Sequence, residues 1–191
     1  MRIAISSKHY LDEFPNGMNL DNKIEVYFDQ VLGWQLIPAK DTADNVKHSG
    51  FAVLQIVMSF FESIAKYRDG YCKKDQSKKF FKTGFGLVFP QIKEEISNIT
   101  HRDEFLENFY DNVRCGLYHA SSTGPNIVLT GQADAILHIQ DKSIIINPHR
   151  IVEPLETYLR NYVRELRDTK NTELRERFEV RFDFDRGPKA P

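Results

Sequence analysis

From about residue 45 to 68 the chain carries its most apolar stretch, and that stretch constrains the architecture more than any other. Phe51, Leu54, Met58, Phe61 and Ala65 recur at helical spacing, and Asp69-Gly70 supplies a stop. Only Gln55 and Ser59 interrupt the run from Phe51 to Phe61. The run is too short to cross a bilayer, which takes about 20 apolar residues. A helix this apolar needs neighbours around it, so it predicts the central element of a helical bundle.

Other segments supply those neighbours. Ile24, Tyr27, Phe28, Val31 and Leu32 follow helical spacing, and Pro38 is expected to end that pattern. Ser77 to Phe89 reads as a further helix in spite of Gly84, Gly86 and the following Pro90, and Ile92 to Ile99 as another short one. A helix beginning near His101 to Glu104 has acidic residues in its first turn. Beyond Gly124-Pro125 come short β-branched runs at Asn126 to Thr130, Ala135 to Gln140 and Ser143 to Ile146. Pro148 to Asp168 returns to helix, with Leu155, Leu159, Tyr162 and Leu166 on one side. Arg177 to Asp185 alternates, with Phe178, Val180, Phe182 and Phe184 on one face, and fits either a strand or a docking helix end.

The expected fold is mainly α: an antiparallel helical bundle with a small β-hairpin or meander inserted between its last two main helices. No linker or repeat divides the chain, so residues 1–191 read as one domain. Its parts are a helical bundle over 20–120, a β insertion over 126–147, a long helix over 148–168 and a tail over 170–191.

Several function classes fit poorly. A net charge of −1 argues against a general nucleic-acid coating protein. The one dense basic cluster, Lys73-Lys74 with Lys78, Lys79 and Lys82, reads as a solvated face. Met1-Arg2-Ile3-Ala4-Ile5-Ser6 lacks the apolar core of a signal peptide, so the expected location is cytoplasmic, with no membrane partner. Cys72 and Cys115 suit neither a disulfide framework nor a thiolate metal site. His9, His48, His101, His138 and His149 are scattered, Gly84-Phe85-Gly86 lacks the rest of a dinucleotide fingerprint, and no Gly-Lys-Ser/Thr loop occurs. No metal or cofactor is therefore expected. Trp34 and the many phenylalanines read as core.

Chemistry is concentrated between Asn108 and Ala120. On a wheel advancing about 100° per residue, Tyr110, Leu117, Leu106, Val113, Ala120, Phe109 and Gly116 share one apolar arc. Arg114 and His119 lie roughly 140° apart on the polar arc, with Tyr118, Asp111 and Cys115 between them. A histidine moves protons near neutral pH, and an arginine holds the charge that builds on phosphate. Together they are the minimum equipment for metal-free cleavage of a phosphodiester. Gly124-Pro125 requires the helix to end soon after His119. Asp111, one turn before Arg114, is expected to orient its guanidinium. Cys115 reads as a half-buried thiol. Glu62 and Lys66, one turn apart on the apolar helix, read first as a flanking salt bridge, the alternative being that they reach into the same cleft. With twelve arginines and six histidines in 191 residues, such a spacing arises by chance roughly 0.4 times, so spacing alone carries little weight.

More weight comes from a resemblance. Phe109-Tyr110 followed by Val113-Arg114-Cys115-Gly116-Leu117-Tyr118-His119-Ala120 resembles the signature helix of HEPN-domain proteins, in which four to six residues separate an Arg from a following His near the end of a late helix. The likeness extends to the apolar helix before it and the long helix after it, about two thirds of the chain; only the signature helix is specific. It implies a HEPN-like helical bundle that forms a homodimer, with signature helices facing each other and Arg114 and His119 catalytic. It also implies a metal-independent endoribonuclease of a toxin–antitoxin, defence or RNA-processing system, with RNA as substrate and a cognate antitoxin or nucleotidyltransferase as partner. Other members lack catalysis and bind RNA, a nucleotide or a protein. Many active members carry a polar residue directly after the arginine, where this chain has Cys115.

Overall fold

The computed structural model describes residues 2–91, 102–140 and 143–186. The fold is mainly helical, with one small sheet. Helix α1 (Leu20–Val31) starts where Asn19 accepts a hydrogen bond from the Asn22 N–H, leaving Ile24, Val26 and Tyr27 to face inward. The helical path then runs through a π turn at Leu32–Leu36 into α2 (Ile37–Asn45). Pro38 therefore does not end the pattern. It occupies the first turn of α2, where a missing N–H and a fixed φ are tolerated, and the wider turn ahead of it absorbs the change of register. Trp34 rides on this π turn and is 50% exposed, so the expectation that it belongs to the core is corrected. Its neighbour Gln35 ties the turn to the next helix by donating to the Ile56 carbonyl and the Ser59 hydroxyl.

Helix α3 (Gly50–Asp69) is the central element. It begins at Gly50 rather than near residue 45, because the intervening loop passes through His48 at φ +60°. Leu54, Met58, Phe61 and Ala65 are buried as the periodicity predicts, and Val53, Val57, Phe60 and Ile64 are buried too; Phe51, at the helix start, is exposed. Helix α4 (Ser77–Val88) crosses α3 at very short range. A Cβ on Gly84 would stand 1.8 Å from the Phe61 carbonyl oxygen, so the residue that weakens the helix in isolation is the one that lets it pack. Beside that crossing Phe61, Phe81, Phe85, Phe89 and Phe109 interlock, with ring centroids 5.1 to 6.0 Å apart.

The short helix expected over Ile92 to Ile99 lies outside the described residues. Helix α5 (Arg102–Phe109) continues through a second π turn at Tyr110–Cys115 into α6 (Gly116–Ala120). Strands β1 (Ile127–Leu129), β2 (Leu137–Gln140) and β3 (Ser143–Ile146) follow. The order in the sheet is β1-β3-β2: β2 and β3 form the hairpin, and β1 joins β3 in parallel. Helix α7 (Val152–Arg167) buries Leu155, Leu159, Tyr162 and Leu166 as its pattern predicts. The tail forms helix α8 (Thr172–Arg186), which docks on α1 and α3. Phe178 and Phe182, one turn apart, are buried, while Val180 and Phe184 point outward. Lys23 holds α8 through Glu179 (2.7 Å) and Asp183 (2.8 Å). Among the described residues, no helix is long and apolar enough to cross a membrane.

Candidate functional site

The helix from α5 to α6 presents its apolar face to the core largely as its wheel predicts. Leu106, Phe109, Tyr110, Val113 and Leu117 are buried, and Ala120, beyond the last packed turn, is exposed. The π turn alters the phase of the polar side, since a wider turn advances each residue by less than an α turn does. Arg114 sits in that wider turn, and His119 lies in the final turn of α6.

Arg114 is held from several directions. Its guanidinium lies 3.5 Å from Oε2 of Glu62 on α3, and it stands 5.5 Å from the ring centroids of both Tyr110 and Tyr118. Glu62 is itself fixed through its other oxygen, which accepts from Lys66 Nζ at 2.7 Å and from the Ser77 hydroxyl at 2.8 Å. The side chains of Lys66 and Glu62 are only 7% and 17% exposed. Burial works against ionisation of Glu62, but Lys66, Ser77 and Arg114 outweigh it and hold the carboxyl below its ordinary range. The cluster contains two cations and one carboxylate, so it keeps one positive charge in excess. Glu62 and Lys66 thus form the expected salt bridge, and Glu62 also reaches the arginine.

Asp111 does not orient Arg114. Its carboxylate takes Lys78 Nζ from α4 at 3.0 Å, and that hydrogen bond raises the lysine's pKa. Lys78 also lies 5.5 Å from the Tyr110 ring centroid. Lys78 is therefore tied to this helix by an ion pair that is itself exposed to solvent. Farther along, Lys82 approaches Glu107 at 3.5 Å. Burial raises the pKa of Tyr110; Arg114 opposes the shift and Cys115 adds to it. Cys115 is half-buried against the core.

At the end of the helix the chain turns back on itself. Ser121 adopts φ +50°, the Ser122 N–H donates to the Gly116 carbonyl (3.3 Å), and the Gly124 N–H donates to the Asn112 carbonyl (3.0 Å). A Cβ on Gly116 would stand 2.6 Å from the Ser122 oxygen, so glycine is what allows this tight return. The return leaves His119 exposed, with its ring edge-on to Tyr118 at 5.1 Å and no hydrogen-bond partner among the described residues. Tyr118 is 70% exposed.

Ser77 is the polar residue that sequence reasoning missed. It belongs to no motif, and it reaches the site only because α4 starts beside Glu62. Among the described residues, no group of three or more His, Cys, Asp or Glu is arranged to hold a metal ion. Comparison with protein-family models, with curated proteins and with solved structures found no match to this chain.

Proposed function

We propose that the chain is a HEPN-like endoribonuclease that acts as a homodimer without metal, with Arg114 and His119 as its catalytic pair. One observation carries the reading: a guanidinium held by Glu62 and two tyrosine rings, with an exposed imidazole at the end of the same helix. The fixed guanidinium suits a phosphate that gains charge in the transition state, because the donors need no reorganisation. The exposed imidazole suits proton transfer. His119 takes the proton from a ribose 2′-hydroxyl, and the 2′-oxygen attacks the adjoining phosphorus. The bond from phosphorus to the 5′-oxygen breaks, and that oxygen takes a proton from the His119 of a second copy. The products are a 2′,3′-cyclic phosphate and a 5′-hydroxyl.

Incubation of the purified protein with mixed RNA in EDTA tests this, beside Arg114→Ala and His119→Ala. Cleavage should be lost in both variants while their thermal midpoints stay close to the parent's. Unchanged cleavage by His119→Ala would remove the assignment. The second reading, a non-catalytic module binding RNA, a nucleotide or a protein partner, draws on Cys115 after the arginine and on the carboxylate that Arg114 already shares. Binding without cleavage in the same assay selects it.

A further inference from the structure

We infer that Tyr118 is a stacking platform for an unpaired nucleobase, and that the lysines at the start of α4 hold the RNA backbone beside it; this rests on the ribonuclease reading above. Tyr118 is the most exposed large apolar or aromatic side chain among the described residues. Water is a poor environment for such a ring, and the core has no use for it in this position. Yet the ring is not isolated. The Arg114 guanidinium stands 5.5 Å from its centroid, and the His119 ring meets it edge-on at 5.1 Å. A flat group seated on Tyr118 therefore lies next to both residues proposed to act on the phosphodiester. A base offers such a flat group only when it has left its stack, because both faces are covered inside a duplex.

The cations agree with a strand rather than a single phosphate. Lys78 and Arg114 approach the same Tyr110 ring, each at 5.5 Å, so the first turn of α4 adjoins the site. Lys73, Lys74 and Lys79 are exposed near that turn and make no ion pair with any described residue. Lysines spread along a loop and a helix start suit successive phosphates of a flexible chain. Stacking against aromatics combined with a basic track is how single strands are held without reading their sequence.

The test uses the full chain carrying His119→Ala, to prevent cleavage, and a fluorescein-labelled 12-nucleotide RNA of mixed sequence in EDTA. Anisotropy should show the single strand bound more tightly than the same RNA annealed to its complement. Adding Tyr118→Ala should weaken single-strand binding roughly tenfold, while Tyr118→Phe, which keeps the ring, should retain it. Replacing Lys73, Lys74 and Lys79 by Ala should lower the slope of log affinity against log salt by about 2. Equal binding of the duplex, no effect of Tyr118→Ala, or an equal loss in Tyr118→Phe would each overturn the inference. So would a shift of Tyr118→Ala to a smaller species in sedimentation, since the ring would then belong to a subunit contact. Ring-dependent binding by a parent chain that does not cleave RNA leaves this inference standing and removes the catalytic one. Cleavage that ignores Tyr118 does the reverse, and an absence of any RNA binding removes both.

Discussion

Oε2 of Glu62 lies 3.5 Å from the Arg114 guanidinium, and through this contact the central helix of the bundle sets the position of the candidate catalytic arginine. The carboxylate cannot drift toward the arginine, because Lys66 and Ser77 hold its other oxygen. A pair of residues in the interior thereby controls a residue at the surface.

Removing that carboxylate should cost both stability and activity. Glu62→Ala leaves the Lys66 ammonium almost fully buried without its counter-charge, a loss of about 3 kcal/mol. Urea denaturation should show a lower midpoint at an unchanged slope. The double variant Glu62→Met with Lys66→Met should recover most of that stability, since no unpaired charge remains, yet it should still cleave RNA poorly because Arg114 has lost its anchor. Full cleavage by the double variant would show that Arg114 needs no such support.

The same carboxylate gives stability a defined acid limit. Glu62 has a folded pKa below its unfolded one, so the stability it contributes is complete above the unfolded value and is lost as pH falls through the folded value. The unfolded value lies near 4.5. The gap in thermal midpoint between the parent and Glu62→Gln should therefore be wide at neutral pH and should narrow below about pH 4. A gap that stays constant down to pH 3 would contradict the ionised pairing.

Gly84 should tolerate no side chain. A methyl group there meets the backbone oxygen of Phe61 at 1.8 Å, and backbone gives way less easily than a side-chain tip. Gly84→Ala should destabilise the fold by about 3 kcal/mol or more, although alanine is the better helix former. Chemical denaturation of the variant measures this, and a stability equal to the parent's would show that α3 and α4 cross less closely.

Tyr162 predicts a change in the other direction. Its hydroxyl is buried with no hydrogen-bond partner among the described residues, and burial raises its pKa strongly. Tyr162→Phe removes a desolvated polar group and keeps the ring, which also faces Tyr27 and Arg68. The thermal midpoint should rise or hold, corresponding to a gain of up to about 1 kcal/mol. A clear fall would reveal a partner for the hydroxyl.

Regular helices were readable in the sequence because burial repeats with every turn. Leu155, Leu159, Tyr162 and Leu166 mark α7, and Leu54, Met58, Phe61 and Ala65 mark α3; all eight are buried. The two π turns were not readable, since widening one turn hardly disturbs an apolar pattern. That is why Pro38 looked like a stop and Trp34 looked like core. At the site, the polar face holding Arg114 and His119 could be read from local spacing. The contacts of Arg114 with Glu62 and of Asp111 with Lys78 could not, because each joins helices distant in sequence. Spacing on one helix favoured an Asp111–Arg114 pairing, and the close approach of α4 diverted Asp111 to Lys78.

A π turn amounts to one residue more than an α-helix needs, taken up without moving the elements on either side. Among the described residues such a surplus occurs twice, at Leu32–Leu36 and Tyr110–Cys115. Both are places where a sequence can lengthen or shorten by one residue while its core contacts stay in register. Deleting one residue between Tyr110 and Cys115 would relax that segment to ordinary helix. Arg114 would then swing out of phase with Glu62, so the count of residues in that turn is itself part of the site.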